Sequence, residues 1–512
     1  MPAEAHRDTI GDRLSFDRSL PGRQGVSLPA LDVPPAELPD AGLRRDGLRL
    51  PELDQLSLVR YFTALSRLNY SIDAGFYPLG SCTMKYNPKV HEDLARLPGF
   101  TGVHPAQPPE TAQGTYRLLY ELQTLLAAVT GMDGVTLAPM AGAQGELTGM
   151  LMVRAYLRDH GGAERTRVLV PDSAHGTNPA TAAMCGFEVV SIPTAPDGNM
   201  DLAALEAALD DRTAALMLTL PNTLGLWEQQ IERISALVHA AGAQLYGDGA
   251  NLNAIAGRVR PGDLGFDAWH INTHKTFATP HGGGGPGAGP VAVKAHLLPY
   301  LPAPHIERSE GDGLYRPVTP PRSIGRVGLH AGNFGVLLRA YAYLRTLGLE
   351  GLREMSGTAV LNANYVQARL RGAYHLPYNR RVMHEVVFSG SRQRAKGVRT
   401  LDIAKRLIDY GFHPPTIYFP LIVEEALMIE PTESESRESL DAFCDALLAI
   451  AREVEEQPEL VKGAPYTAPL TRLDEATAAR RPVLRWQAEP ATTGSTGSPA
   501  GQTPLQRHHH GP

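Results

Sequence analysis

Cysteine is scarce in this chain of 512 residues, which contains only Cys82, Cys185 and Cys444, all far apart. An odd and scattered set argues against a framework of disulfide bonds and indicates a reducing compartment. Long apolar runs are also missing, so no membrane-spanning segment is predicted. The stretch MPAEAHRDTIGDRL at the start lacks an apolar core and carries acidic residues, so it resembles neither a secretory signal nor a transit peptide. We therefore expect a cytoplasmic protein.

Positive charge is not in excess, because the formal net charge is -6 at pH 7. A basic surface for nucleic acid or for an anionic membrane is therefore not predicted. The chain also lacks three catalytic patterns: the G-x-x-x-x-G-K-[ST] phosphate loop, the G-x-S-x-G nucleophile elbow and the H-E-x-x-H zinc helix. With 43% hydrophobic and 20% charged residues, the composition is that of a soluble globular protein.

What the sequence does contain is a run of short apolar segments that alternate with helical patterns. Helices are predicted from Leu118 to Val129, ending at Gly131, and from Ile231 to Val238. The alternation predicts an α/β protein with a mostly parallel sheet covered by helices on both faces. Ligands of such sheets bind at the carboxyl ends of the strands. The predicted strands are residues 168–170, 189–192, 214–218, 245–248, 268–271 and 291–293.

The length exceeds what one hydrophobic core supports, so several domains are expected. Residues 1–110 are predicted to form an arm, rich in proline at its start, followed by an active-site loop segment. Residues 111–335 form the predicted large domain and residues 336–470 a smaller C-terminal domain of helices and strands. Residues 471–512 have low complexity, so we expect a disordered tail. Its three consecutive histidines are expected to be solvated, and no metal site is predicted.

One stretch, HINTHKTFATPHGGGGPGAG (270–289), joins a predicted strand end to a lysine and a glycine run. Lys275 directly follows His274 and precedes four consecutive glycines at 282–285. Two interpretations are open for this lysine. A solvated lysine before a flexible loop is the simpler one. A lysine that forms a Schiff base, in contrast, needs the open pocket that such glycines provide.

Three further stretches favour the Schiff-base interpretation, because they supply groups that pyridoxal phosphate requires. Asp248 lies at a predicted strand end, 27 positions before Lys275, and its carboxylate suits a pyridine nitrogen. Small residues ahead of a predicted helix at 138–149 suit a phosphate, since the first N–H groups of a helix bind anions. His175 is suited to stack on a ring, and Ala250 is small enough to lie flat against one. Each signal is weak alone, since Asp-Gly turns and loop histidines are common, but together they indicate a site.

Seven stretches of the chain carry a distinctive combination of glycine, proline and polar residues. They are GFYPLGSCTMKYNPK (75–89), MAGAQGELTG (140–149), DSAHGTNPA (172–180), PNTLGLWE (221–228), YGDGANLNA (246–254), HKTFATPHGGGGPGAGPV (274–291) and SIGRV with GNFGVLLRAYAY (323–343). Together they resemble glycine decarboxylase, the P-protein of the glycine cleavage system, and specifically its subunit 2 where the enzyme is divided between two chains. The resemblance covers roughly residues 50–460, and the combination is highly specific. Two positions depart from the family: Trp227 replaces a smaller aromatic residue, and Gln144 stands where many members have histidine.

The resemblance implies a fold type I pyridoxal-phosphate enzyme, similar in fold to aspartate aminotransferase. In such an enzyme Lys275 would bind pyridoxal 5'-phosphate covalently and act as the catalytic lysine. Asp248 would pair with the pyridine nitrogen, and His175 and Ala250 would enclose the ring.

The phosphate group would lie at the predicted helix N-terminus. By the same resemblance, Ala143 and Gln144 would hold it, with His274 as a further contact. Because Gln144 replaces a histidine of the family, its contact is expected from the backbone rather than from the side chain.

The resemblance also implies a reaction and its partners. Glycine would lose its carboxylate as CO2, and the aminomethyl group would pass to the lipoyl arm of a small carrier, the H-protein, whose disulfide is reduced. The chain would work with a lysine-free subunit 1, with two copies of each chain. No residue is assigned to the glycine carboxylate.

Two other interpretations remain open. Another amino-acid decarboxylase or aminotransferase of the same fold would show a similar lysine, aspartate and histidine, although the stretches at 75–89 and 221–228 are not typical of such enzymes. The second is a non-catalytic scaffold subunit, against which the presence of both Lys275 and Asp248 argues.

Overall fold

The structure, a computed structural model, describes residues 14–37, 40–43, 50–281 and 287–484. The predicted glycine run, parts of the predicted arm and most of the predicted tail therefore lie outside the described residues. Two compact units are present, one formed by residues 1–71 with 465–512 and the other by residues 72–464. The predicted boundaries inside the second unit stay predictions.

Helices and strands are numbered in chain order. The helices are α1 (Gln55–Arg67), α2 (Val90–Ala95), α3 (Pro98–Thr101), α4 (Gln113–Thr130), α5 (Gly142–Asp159), α6 (Thr177–Met184), α7 (Leu202–Ala208), α8 (Ile231–Ala240), α9 (Thr273–Thr276), α10 (Phe334–Leu370), α11 (Ser391–Arg394), α12 (Thr400–Asp409), α13 (Arg437–Glu456), α14 (Pro458–Gly463) and α15 (Glu475–Arg480). The strands are β1 (Gly134–Thr136), β2 (Arg167–Pro171), β3 (Glu188–Ile192), β4 (Thr213–Thr219), β5 (Gln244–Gly249), β6 (Ala268–Ile271), β7 (Val291–Val293), β8 (His305–Arg308), β9 (Tyr315–Val318), β10 (Val386–Ser389), β11 (Thr416–Ile417) and β12 (Ala426–Ile429). In the part of the chain that is described, no helix has both the length and the apolar character needed to cross a bilayer.

The unit of residues 1–71 with 465–512 contains α1 and α15. The side chain of Asp54 caps α1 by accepting a hydrogen bond from the Ser57 N–H at 2.8 Å. In the sequence, the helical spacing of Leu56, Val59 and Leu65 predicts a helix within residues 51–68, and α1 confirms it. Leu56 and Val59 are nevertheless exposed, at 57% and 56%.

The second unit contains a seven-stranded sheet with the order β1-β7-β6-β5-β4-β2-β3. Strands β2 to β6 run parallel to their neighbours, whereas β7 is antiparallel to both β6 and β1. The predicted mostly parallel sheet is therefore confirmed, and all six predicted strands are present. Strand β1 was not predicted.

Both faces of this sheet are covered, because alternate residues of β4 enter different cores. Leu216 and Leu218 pack with apolar residues of α4, α8 and α10, whereas Ala215 and Met217 pack with those of α5 and α6. Every residue of β4, β5 and β6 is buried. Strands buried along their whole length are typical of a parallel sheet between two helical layers.

A smaller antiparallel sheet, β10-β12-β11, follows along the chain. Helices α12 and α13 cover it, and Phe388, Leu427 and Phe443 share its core. Helix α10 contributes to this core and to that of the large sheet, and it is interrupted at Gly348, whose φ is +60°. The two sheets are thus joined by one long helix with a break.

Gly225 offers a test of the packing between the loop after β4 and the segment before β10. Its φ is +75°, and a Cβ atom there would overlap the backbone oxygen of Glu385. Gly161 has the same φ of +75° but open space around it. Because both positions have the same positive φ, Gly225→Ala should cost about 1–3 kcal/mol more than Gly161→Ala, the usual cost of overpacking. Urea unfolding of both variants measures this difference, and equal losses would contradict it.

Candidate active site

Three neighbouring strands bring polar side chains together near their carboxyl ends. In the register of the sheet, Thr219 of β4 lies beside Asp248 of β5, and Asp248 lies beside His270 of β6. All three are buried, with 3%, 2% and 1% of their surface exposed. A cavity of about 200 Å³ is formed at this edge, which is where open α/β sheets bind ligands.

Six of the seven predicted cofactor residues line this cavity, namely Ala143, His175, Asp248, Ala250, His274 and Lys275. The cavity is also lined by residues that sequence reasoning did not assign, which are Ser81, Gly142, Glu146, Thr177, Thr219, Thr223, Asn251, His270 and Asn272. The structure therefore gathers residues from stretches that lie up to two hundred positions apart in the chain.

Gln144 is the predicted residue that does not line the cavity. Its side chain accepts a hydrogen bond from the Met140 N–H at 2.7 Å and donates to the carbonyl of Val327. The side chain is therefore occupied within the protein. From this region, Gly142 and Ala143 at the N-terminus of α5 line the cavity. The first N–H groups of a helix have no acceptor within the helix.

Asp248 is held as an ionised carboxylate. Its Oδ2 accepts a hydrogen bond from the Asn178 amide at 2.9 Å, and its Oδ1 accepts one from the Ala250 N–H at 3.0 Å. His270 Nε2 lies 3.4 Å from Oδ1. Burial alone would raise the pKa of Asp248, but His270, Asn178 and the Ala250 N–H together lower it below its ordinary value. A negative charge therefore faces the cavity.

His270 connects Asp248 to the interior of the sheet. Its Nδ1 lies 2.8 Å from the Tyr246 hydroxyl, on the side opposite Asp248. Burial lowers the pKa of His270 and raises the pKa of Tyr246 well above its ordinary value, so the imidazole is neutral and the phenol is protonated. The Tyr246 hydroxyl then donates to Nδ1, which places the imidazole proton on Nε2, toward Asp248.

A second buried carboxyl, Glu146, lies beside Asp248. Its Oε1 accepts a hydrogen bond from the Thr177 hydroxyl at 2.7 Å, and its Oε2 accepts one from the Asn178 amide at 3.2 Å. Burial, and then the charge of Asp248, raise the pKa of Glu146 to about 8. At neutral pH the two carboxyls therefore hold one negative charge between them, on Asp248.

Glu146, Asp248 and His270 each offer a ligand atom, and these atoms lie within 4.8 Å of one another. The spacing alone would suit a cation. However, the N–H and O–H donors of Asn178 and Thr177 are aimed at the carboxyl oxygens, and such donors repel a cation. The arrangement suits a charged carboxylate that accepts hydrogen bonds.

Two lysines lie near the cavity, and their surroundings differ. Lys275, on α9 directly after β6, has no hydrogen bond or ion pair from its Nζ to any described residue. The buried Nζ of Lys85, in contrast, donates to Glu433 Oε1 and to the carbonyl of Thr276, both at 2.7 Å. Burial would lower the pKa of Lys85, but Glu433 and Tyr343 outweigh burial and raise it. Lys85 is thus fixed as an ammonium group, and Lys275 is the amine that the cavity offers for covalent chemistry.

Two histidines lie close to Lys275. The rings of His274 and His281 meet edge to face, with 5.2 Å between their centroids. Burial, followed by the charge of neighbouring groups, lowers the pKa of His274 to about 3 and that of His281 to about 4. Both imidazoles are therefore neutral at pH 7, and His274 reaches the cavity as a polar contact rather than as a cation.

The segment at 75–89 forms part of the cavity wall through Ser81. The Ser81 N–H donates to Glu385 Oε2 at 2.8 Å, and the Thr83 N–H donates to Glu430 Oε2 at 3.1 Å. Burial, and then the charge of Glu430, raise the pKa of Glu385 well above its ordinary value. Two buried carboxyls thus hold this segment at the cavity edge. The segment is an irregular loop, as its sequence predicts.

His175 and Ala250, the residues predicted to enclose a ring, both line the cavity. The Nδ1 of His175 lies 3.0 Å from the Thr177 hydroxyl, and its ring packs edge to face on Phe419 at 5.5 Å. The imidazole is therefore supported from one side. Its stacking role stays a prediction.

Comparison with known proteins identifies the family to which this chain belongs. A family model described as the C-terminal domain of glycine dehydrogenase matches residues 355–465, and one described as aminotransferase class-V matches residues 148–303. A probable glycine dehydrogenase (decarboxylating) subunit 2 of Halalkalibacterium halodurans is 58% identical over 478 residues, which are 93% of this chain and 98% of that protein. The chain belongs to this glycine dehydrogenase (decarboxylating) subunit 2 family. The member from Shouchella clausii is 56% identical over 484 residues, or 94% of this chain and 98% of its own.

Solved structures show the same fold. Glycine decarboxylase (P-protein) of the glycine cleavage system, in an inhibitor-bound form, gives a TM-score of 0.67 at 22% identity and covers 81% of this chain and 92% of its own. A cysteine desulfurase of Escherichia coli gives 0.57 at 17% identity and covers 75% and 96%. The predicted fold type I α/β architecture is thereby confirmed.

The family also bears on the alternatives left open by the sequence. It is the family that the seven motifs predicted. Membership therefore favours glycine dehydrogenase over the two alternatives, which were another decarboxylase or aminotransferase of this fold and a scaffold subunit. The name subunit 2 implies that these relatives work with another subunit.

The raised pKa of Glu146 predicts a pH-dependent stability. The folded protein keeps this carboxyl protonated up to about pH 8, whereas its ordinary pKa is 4.5, so unfolding releases a proton between these values. Stability therefore falls as pH rises through this window and falls no further above it. Glu146→Gln removes this pH-dependent loss of stability. The free energy of unfolding of the variant, relative to that of the wild-type apoprotein, should therefore rise by about 2–4 kcal/mol from pH 5 to pH 8.

Urea unfolding of both apoproteins across this pH range measures the difference. The exposed Glu164, replaced by Gln, is the matched control and should show no such trend. A stability gap for Glu146→Gln that stays constant with pH would contradict the assignment of a protonated carboxyl.

Proposed function

We propose that this chain is the lysine-bearing subunit of a glycine decarboxylase that uses pyridoxal 5'-phosphate. In this reaction the carboxylate of glycine leaves as CO2, and the aminomethyl group is transferred to the lipoyl arm of H-protein. The observation that carries the proposal is one cavity with the unpaired amine of Lys275 and the ionised carboxylate of Asp248, in a chain of this family.

The lining of the cavity suits a polar ligand such as pyridoxal phosphate. Thr219 Oγ1, Asn272 Oδ1 and His274 Nδ1 are buried without a hydrogen-bond partner among the described residues, and all three residues line the cavity. Orphaned buried polar atoms are costly, typically about 1–3 kcal/mol each. A bound group with several hydrogen-bonding atoms would satisfy them, as pyridoxal phosphate can.

The proposed roles follow from these positions. When bound, pyridoxal phosphate supplies an electron sink for the charge that develops as CO2 departs. Asp248 would keep a proton on the pyridine nitrogen, which strengthens that sink. Lys275 would hold the cofactor covalently and yield its place to the amine of glycine. The N–H groups of Gly142 and Ala143 would hold the phosphate at the N-terminus of α5.

The lining of the cavity favours decarboxylation over amino-group transfer. Of the described residues that line it, none is an arginine. A substrate carboxylate that must be retained is well held by the bidentate fork of arginine. Neutral groups such as Ser81, Thr223 and His274 would hold a carboxylate less strongly than an arginine would. A carboxylate without a paired cation would be less stabilised relative to neutral CO2, which would favour its loss.

The electron balance requires an acceptor. Release of CO2 would leave an electron pair on the aminomethyl carbon, and this pair would form a bond to one sulfur of the lipoyl disulfide. The S–S bond would break, and the other sulfur would take up a proton and become a thiol. We propose lipoylated H-protein as this acceptor and subunit 1 as the partner chain, with two copies of each subunit. The relatives' name supports a partner subunit. A reducing, cytoplasmic setting is part of the proposal, and three cysteines without a disulfide support it.

Borohydride reduction of the cofactor-loaded protein should fix a pyridoxyl group on Lys275. Lys85 is the matched internal control, because it is buried nearby but is held by Glu433. Peptide mass spectrometry identifies the modified lysine. The Lys275→Ala variant should take up no reducible cofactor, and a pyridoxyl group on Lys85 would contradict the assignment.

Together with subunit 1 and lipoylated H-protein, this chain should exchange labelled bicarbonate into the carboxyl of glycine. Lys275→Ala should abolish the exchange. Asp248→Asn should lower it by about 100–1000-fold while the cofactor is retained, a typical loss for one electrostatic group at a developing charge. The exposed Asp312, replaced by Asn, serves as the control.

Two outcomes would contradict parts of the proposal. Full activity of a homodimer of this chain with H-protein alone, with its mass measured by light scattering, would contradict the need for subunit 1. Exchange with larger amino acids but not with glycine would contradict the substrate.

A further inference from the structure

The segment GFYPLGSCTMKYNPK (75–89) is typical of the family, yet the proposed reaction gives its first lysine no role. We propose that Lys85 is a positioning residue, which fixes the short helix that carries Lys275 by holding the carbonyl of Thr276. The inference rests on the proposed covalent role of Lys275.

The ammonium group of Lys85 is fully engaged. Its three N–H donors meet the Thr276 carbonyl at 2.7 Å, Glu433 Oε1 at 2.7 Å and the Tyr343 hydroxyl at 3.3 Å. Only 2% of the Lys85 side chain and 12% of that of Glu433 are exposed. The group therefore has one orientation available, since an ammonium offers three donors and each already has an acceptor.

Helix α9 depends on such outside contacts for its orientation. It has only four residues, and helices of this length have no stability of their own. Its beginning is tied to the segment before β7, because the Thr273 N–H donates to the Ala288 carbonyl at 3.4 Å. At its end Thr276 is fully buried, so its carbonyl would be orphaned without Lys85. The lysine of the 75–89 segment thus holds the residue next to Lys275.

Stability alone does not account for a lysine at this place. A buried ion pair is often no more stabilising than well-packed apolar residues of similar size. The Sδ of Met355 lies 3.4 Å from the Lys85 Nζ, so part of the surroundings is already apolar. A methionine at position 85 would fill the same space. What it would not supply is the donor to Thr276.

The experiment therefore separates stability from positioning. Lys85→Met removes the donor but leaves Glu433 buried without its cation, whereas the double variant Lys85→Met/Glu433→Gln removes both charges. Lys89→Met is the matched control, because Lys89 lies four positions along, is 60% exposed in its side chain and pairs with Asp73 at the surface. Each protein is measured for its urea midpoint and for the rate at which added pyridoxal phosphate becomes reducible onto Lys275 in the apoprotein.

We expect Lys85→Met to slow this attachment by about tenfold or more, since small misplacements of a reacting group cost up to about 100-fold. In the double variant the urea midpoint should recover while the attachment rate stays low. Lys89→Met should match the wild-type protein in both measurements.

Recovery of the attachment rate together with the urea midpoint would overturn the inference, as would an unchanged rate in Lys85→Met. If Lys85→Met does not fold, the double variant decides. A wild-type protein that attaches no cofactor at Lys275 would instead overturn the proposed function, and this inference with it.

Discussion

One buried negative charge, on Asp248 near the carboxyl end of β5, is the constraint on which the rest of the site depends. A carboxylate in an apolar interior is stable only where hydrogen-bond donors and positive potential surround it. Asn178 and the Ala250 N–H supply the donors, and His270 turns its Nε2 toward the carboxylate. Burial, reinforced by this charge, raises the pKa of Glu146 and keeps it protonated, because a second carboxylate so close would repel the first. The charge state of the cavity is thus decided by contacts inside the sheet.

The sequence predicts the central sheet well because its strands carry their own signal. Mostly apolar segments such as β4 and β6 predict buried strands without knowledge of their partners. Strand β1 has three residues, and its pairing with β7 joins segments more than 150 positions apart. No local sequence pattern therefore predicts this strand. Strand β11 has only two residues, which is too short to show an alternating pattern.

Some residues of the candidate site can likewise be predicted from the sequence, and others cannot. Asp248 and Lys275 are predictable because each follows a recognisable strand. Glu146 and Asn178 are not, since a polar residue becomes part of a site only through what packs around it. One signal for Glu146 was available: it lies on the same helical face as the buried Met150 and Val153, at spacings of four and seven. A carboxyl at an inward-facing helical position requires a partner, and here that partner belongs to another helix.

The shared amide of Asn178 has a consequence for the chemical ageing of the protein. Both of its N–H groups are directed at carboxyls, to Glu146 and to Asp248, so hydrolysis to aspartate would place a third acid among them. Spontaneous deamidation of asparagine proceeds through attack by the backbone nitrogen of the following residue. That residue is Pro179, whose nitrogen carries no proton. The order of two neighbouring residues therefore protects the long-term integrity of the amide between the two acids.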